Sequence, residues 1–355
     1  MGDANLPALL VTELPNVRYL TNLTASAAAC VIDSATVHLV TDFRYAETAH
    51  DLVRQGQAPS GLAVSIVETS YDEAIQAVLE ALPADRIGVE AAHLSWARAR
   101  WFSDRLEKSG SGTVLVPTER LVDRLRVVKD DFEIAVLRSA AHLLSRVAQD
   151  LRAVVRPGVR ERDVAAWIDS TLKTVGFTQY AFDTIVASGP NGARPHARAG
   201  DRALSSGDLV VLDFGGVYDG YCVDLTRTLA IGSPSDEARR VHAAVIEAQR
   251  AAIEATRPGV RASDVDRAAR AVMARAGLGD AFGHSTGHGL GLEVHEEPRI
   301  AAAVEGRDDP ALEPGMVFTI EPGAYLPGWG GVRVEDDVLV TGRGCEVLTQ
   351  APRDL

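Results

Sequence analysis

No apolar run in these 355 residues approaches the roughly 20 that a membrane-spanning helix needs, so neither a membrane span nor a membrane partner is expected. Cysteine is scarce. Cys30, Cys222 and Cys345 are an odd count with no Cys-x-x-Cys spacing, which suits a reducing cytosol. The opening Met-Gly-Asp-Ala-Asn has no cationic stretch leading into an apolar one, so no secretory signal is read and a cytoplasmic protein is expected. A basic cluster is also missing. With 49 acids against 36 bases the net charge is −13, and nucleic acid is a poor partner for such a chain.

What is present divides in two. The length allows two domains with separate cores. Residues 1–120 alternate short apolar runs with helical stretches and read as a small α/β domain. Strands are expected at 8–12, 29–33, 38–42, 63–68, 86–90 and 113–117, with helices at 43–55, 71–82 and 95–109. A charged stretch from Pro117 to Asp130 reads as the linker into a second domain, set at 121–355. There the periodicity predicts helices at 131–155, 161–175, 235–256 and 263–276, and strands at 209–214, 223–230, 317–321 and 332–341. The fold class is α/β (α+β).

The second domain repeats itself. Arg156-Pro-Gly-Val-Arg160 precedes Asp163, and Arg257-Pro-Gly-Val-Arg261 precedes Asp264 at the same spacing. Leu204-Ser-Ser-Gly-Asp-Leu-Val-Val-Leu-Asp213 is matched by Leu312-Glu-Pro-Gly-Met-Val-Phe-Thr-Ile-Glu321, with Gly207 and Gly315 each six residues before an acid that closes an apolar run. A returning strand then brings a second acid, Asp224 in one copy and Glu335 in the other. Each half thus reads helix, Pro-Gly turn, helix and a hairpin with two acids. Folding the halves about a pseudo-twofold axis would bring both acid pairs to one centre. Acids ending buried strands are costly unless a cation meets them, which makes this a metal-site argument.

With His288, the acids Asp213, Asp224, Glu321 and Glu335 form a mainly hard donor set, suited to Mn²⁺ first, with Co²⁺ or Zn²⁺ also compatible. Five ligands are too many for one structural zinc, and two divalent ions sharing carboxylates fit better. His284, His288 and His295 lie in one Gly-rich segment whose glycines predict loop and strand rather than a helical zinc pair. His196 sits in a Gly/Pro-rich loop before the first acid-bearing strand.

Asp-Phe-Gly-Gly, Asp-Leu-Thr-Arg-Thr, Gly-His-Gly-Leu-Gly, Thr-Ile-Glu-Pro-Gly and Val-Arg-Val-Glu-Asp together resemble the pita-bread metallopeptidases over nearly the whole chain. Asn16-Val-Arg-Tyr-Leu-Thr and Thr41-Asp-Phe-Arg-Tyr-Ala resemble the extra N-terminal domain of the proline-directed branch, that of prolidase and aminopeptidase P. The resemblance implies that Asp213 chelates one metal, His288 and Glu321 the other, and that Asp224 and Glu335 bridge them. It also implies proton transfer by Glu321, support of the reacting carbonyl by His196 and His295, a proline pocket lined by His284, and a homodimer. Substrates would be proline-containing di- or oligopeptides.

Arg299, four residues after His295, looks like the prolidase arginine that meets the free carboxylate of a dipeptide, a task suited to a guanidinium fork. Arg333 is placed two residues before Glu335 on one strand, hence on the same face, where it would brace the metal carboxylates or join Tyr325 near the substrate. The expected activity is hydrolysis of Xaa-Pro dipeptides, with aminopeptidase P action on longer peptides as the alternative. A binding protein that has lost the metal is the third reading, and the complete ligand set argues against it.

Overall fold

In the computed structural model, residues 6–355 are described, and the opening Met-Gly-Asp-Ala-Asn discussed above lies outside them. Two compact units divide at Arg126 and Val127. The first contains β1 (Ala8–Val11), α1 (Leu14–Thr21), β2 (Ala28–Ile32), β3 (Val37–Thr41), α2 (Phe43–Arg54), β4 (Leu62–Ile66), α3 (Tyr71–Ala81), β5 (Arg86–Glu90), α4 (Trp96–Ser109), β6 (Val114–Thr118) and α5 (Asp123–Arg126). Its six strands form one mixed sheet in the order β4-β3-β2-β1-β5-β6. Strand alternation sends Leu10 and Val31 into one layer with Ile75, Leu79, Phe102 and Leu106, and Leu9 and Cys30 into the other with Val17 and Ala49. Asp42, Ser70 and Ser95 start α2, α3 and α4 by accepting backbone N–H bonds. α1 was not expected: its eight residues, with Pro15 in the first turn, are too few to display a period.

The second unit runs α6 (Asp131–Val154), α7 (Glu161–Val175), β7 (Gln179–Tyr180), β8 (Ile185–Ser188), β9 (Leu209–Tyr218), β10 (Tyr221–Ala230), α8 (Asp236–Ala255), α9 (Ala262–Arg275), β11 (Gly287–Gly289) and β12 (Glu296–Ile300). It ends with β13 (Val317–Ile320), β14 (Gly323–Leu326), β15 (Gly330–Arg333), β16 (Asp336–Thr341) and β17 (Gly344–Val347). The duplication is written into its backbone bonds. Gly158 N–H reaches Leu204 O at 2.9 Å, and Gly259 N–H reaches Leu312 O at 2.8 Å. Gly207 and Gly315 share left-handed φ values of 91° and 95°, which open both hairpins. Each half has its own apolar centre: α6 and α7 pack on β9 and β10, whereas α8 and α9 pack on β13, β15 and β16. The result is a pita-bread unit, an α+β duplication with the acid-bearing hairpins at its middle.

One expected element is broken. Residues 332–341 are not a single strand. β15 pairs with β14, β16 pairs with β13, and Val334 and Glu335 lie between them. The strand ends at Arg333, so strand alternation does not put Arg333 and Glu335 on one face as expected.

Candidate metal centre

β9 and β10 bring the first acid pair together. Asp213 is opposite Thr226, and Asp224 lies two residues before Thr226, so all three side chains leave one sheet face. In the second half, Ile320 and Asp336 are paired, which leaves Glu321 and Glu335 side by side where their strands end. Thr226 joins the halves: its carbonyl accepts the Glu335 N–H at 3.1 Å and its hydroxyl donates to Glu335 Oε2 at 2.6 Å. Thr226 was missed from sequence as a site residue, although its alternation with Asp224 in Asp-Leu-Thr-Arg-Thr was a usable sign.

His288 enters on β11, a strand flanked so closely that side chains beside it are forbidden. A Cβ on Gly287 would lie 1.8 Å from Thr319 O, and one on Gly289 would lie 2.1 Å from Glu297 O. The glycines of Gly-His-Gly are thus packing requirements. His288 Nδ1 lies 3.1 Å from the Gly289 carbonyl, so Nδ1 carries the proton and Nε2 presents its lone pair. That lone pair faces Glu321 Oε1 at 3.6 Å and Asp224 Oδ2 at 3.9 Å, contacts between acceptors that call for a cation.

Donor atoms of Asp224, His288 and Glu335 lie within 4.8 Å of one another. Glu321 joins through His288, and Asp213 is ion-paired with Arg333. Asp213 Oδ1, Asp224 Oδ1 and Glu335 Oε1 are buried without a hydrogen-bond partner among the described residues. Orphaned carboxylate oxygens are expensive, and the gathering of Asp224, Glu321 and Glu335 around an imidazole lone pair fits divalent ions. Burial, reinforced by Asp213, pushes Glu335 up to about 8. Burial and the Glu335 charge raise Asp224 and Glu321 as well, and burial with His295 nearby lowers His288 to about 4.

The remaining residues surround this group. Exposed His295 packs against His288, with ring centroids 4.3 Å apart and planes tilted by 56°. Exposed His196 acts electrostatically on both His284 and His295. His284 Nδ1 faces Ser285 O at 2.8 Å and so holds the proton, which leaves Nε2 to accept from Tyr325 OH at 2.9 Å. Arg333 in turn donates to Tyr325 OH at 2.6 Å. Arg333 thus braces Asp213 and Tyr325 across strands, without the strand continuity expected from sequence. Buried Lys129, not anticipated, meets Glu296 at 3.3 Å beside His295.

A duplicated α+β core that gathers buried carboxylates around a free imidazole nitrogen defines a metal-dependent hydrolase. The chain belongs to metallopeptidase family M24, whose model matches residues 135–342, and residues 1–128 match the creatinase/prolidase N-terminal domain. An Xaa-Pro dipeptidase of Pyrococcus horikoshii is 34% identical over 100% of this chain and 96% of its own length. The structure of an Xaa-Pro dipeptidase from Bacillus anthracis superposes with a TM-score of 0.92 at 36% identity, covering 100% of this chain and 96% of that one. An X-Pro aminopeptidase from Thermotoga maritima gives 0.87 at 35% identity, covering 98% and 97%. Family membership implies divalent metal cofactors. Among the described residues, no helix is long and apolar enough to cross a membrane.

Proposed function

We propose that this chain is an Xaa-Pro dipeptidase that works with two divalent ions, Mn²⁺ by preference. The gathering of Asp224, Glu321 and Glu335 around the His288 lone pair, with orphaned oxygens on Asp213, Asp224 and Glu335, carries the metal part of the reading. Asp213, Asp224, His288, Glu321 and Glu335 would hold the ions, with Asp224 and Glu335 shared. Bound divalent ions would acidify a water into a nucleophile near neutral pH and polarise the scissile carbonyl.

The chain's own groups supply the rest. Glu321, raised by burial and by Glu335, suits a carboxyl that takes a proton and passes it to the leaving proline nitrogen. His295 and His196 would donate to the carbonyl oxygen as its charge grows. His284, neutral and fixed by Ser285 and Tyr325, would line the proline pocket. An Xaa-Pro amide lacks the N–H that many proteases grip, so a site holding the carbonyl and the substrate amine loses nothing by the missing donor.

Arg299 favours dipeptides. It stands across from His288 in the β11–β12 ladder, exposed, and has no ion-pair partner among the described residues. A homodimer belongs to the proposal, with Phe43 and Trp96, 80% and 78% exposed, as apolar side chains for a second copy to cover. The three free cysteines suit a cytoplasmic setting. Comparing kcat/KM for Ala-Pro and Ala-Pro-Ala with Mn²⁺ tests the assignment: the dipeptide should be preferred, and faster tripeptide cleavage would replace dipeptidase with aminopeptidase P.

A further inference from the structure

Two buried acids outside the metal group hold the loops that carry the histidines. Glu161 opens α7 and is fully buried. Its Oε1 accepts from Ser188 N–H at 2.8 Å, Ser188 Oγ at 2.7 Å and Asn191 Nδ2 at 2.9 Å. Its Oε2 accepts from Asn191 Nδ2 at 3.1 Å and Gly200 N–H at 3.2 Å. Ser188 and Gly200 bracket the segment that contains His196, so one carboxylate ties down both ends of that loop. From the opposite half the loop meets backbone and one side chain: a Cβ on Gly331 would sit 2.0 Å from Gly192 O, and Arg333 Nη1 donates to Pro195 O at 3.4 Å.

Asp266 does the matching job on α9. Fully buried, it accepts from Thr286 N–H at 3.2 Å and Thr286 Oγ1 at 2.8 Å, and from Arg270 Nε at 2.6 Å. Arg270 also donates to the carbonyl of Phe282 at 3.1 Å and that of His284 at 2.5 Å. Thr286 lies between His284 and His288, and its carbonyl accepts the Glu321 N–H at 2.7 Å. The repeat hides the correspondence. With Arg160 aligned to Arg261, the counterpart of Glu161 is Ala262, and Asp266 stands four residues further on, one helical turn along the same face. The two halves place a loop-holding acid on equivalent helices with different residues at different positions.

We propose that Glu161 and Asp266 are positioning residues, Glu161 for His196 and Asp266 for His284. This rests on the reading of those histidines as substrate-facing groups. In Glu161→Gln an amide N–H₂ must face donors from Asn191 or Gly200, which loosens the loop without emptying the space. The expected result is a fall in kcat on Ala-Pro on the order of 10- to 100-fold, with metal content unchanged. Asp266→Asn should raise KM instead, since His284 lines the proline pocket.

A double-mutant cycle separates positioning from general destabilisation. Glu161→Gln should cost little further activity in a His196→Ala background, because the residue it serves is already gone. An equal loss in both backgrounds would overturn the proposal. Hydrogen exchange reads the same loop without activity: Glu161→Gln should speed exchange within 189–200 selectively, and unchanged or uniformly faster exchange would overturn it. If Glu161→Gln does not fold, Asn191→Ala removes one donor and enters the same cycle and exchange measurement. Local loosening in Glu161→Gln, beside a wild type that leaves Ala-Pro uncleaved, would refute the dipeptidase reading and leave the positioning role standing.

Discussion

His288 and Arg299 face each other across β11 and β12, and directly opposed residues of an antiparallel pair share a sheet face. The arginine proposed for the substrate carboxylate therefore leaves the same face as a proposed metal ligand. Arg299→Ala should raise KM for Ala-Pro by about 10- to 150-fold, corresponding to about 1.5–3 kcal/mol for a charged hydrogen bond, and spare Ala-Pro-Ala. Arg299→Lys should recover part of the loss, since a point charge lacks the fork. Normal dipeptide kinetics in Arg299→Ala would make it an ordinary surface arginine.

His295 packs against His288 yet is not needed to complete the donor group. His295→Ala should keep its metal and lose kcat by roughly 100- to 1,000-fold, the scale of one oxyanion contact of about 2.7–4 kcal/mol. Metal analysis beside steady-state kinetics checks this, and a near-normal kcat would remove His295 from the chemistry.

Asp224→Asn and Glu335→Gln should each lose metal and activity together, because each deletes a charge from the donor group built around His288. Atomic absorption after dialysis gives the occupancy. A variant that keeps its full metal complement would contradict the shared-ligand assignment.

Most of this was legible because the duplication is visible in Arg-Pro-Gly and in the four hairpin acids, residues whose spacing survives without any knowledge of packing. Strand and helix limits followed from periodicity, as at α7, where residues 161–175 are the helix expected. What escaped depended on contacts distant in sequence. The break between Arg333 and Asp336 arises because β15 and β16 choose different partners, and an apolar alternation does not record partners. Thr226 reaches Glu335 across 109 positions, and Glu161 meets Gly200 across 39. Such carboxylate and hydroxyl contacts leave no period to read.

Without metal, stability should fall as pH rises from about 6.5 to 8. Burial holds Glu335 protonated in the fold up to about 8 against an ordinary 4.5, so above 4.5 the unfolded chain binds fewer protons and gains on the fold. His288 and His284, lowered to about 4 from 6.5, act in the opposite sense, but only below 6.5. Thermal melts of stripped protein should show the decline, and saturating Mn²⁺ should abolish it by taking the place of the protons. A Tm that climbs through this window without metal would contradict the electrostatics described for the centre.

Titrating metal-stripped protein with Mn²⁺ while following Ala-Pro hydrolysis tests the central claim most directly. Activity should be absent at the start and reach its plateau at two ions per chain. Full hydrolysis by the stripped protein, or a plateau after a single ion, would contradict the two-metal dipeptidase.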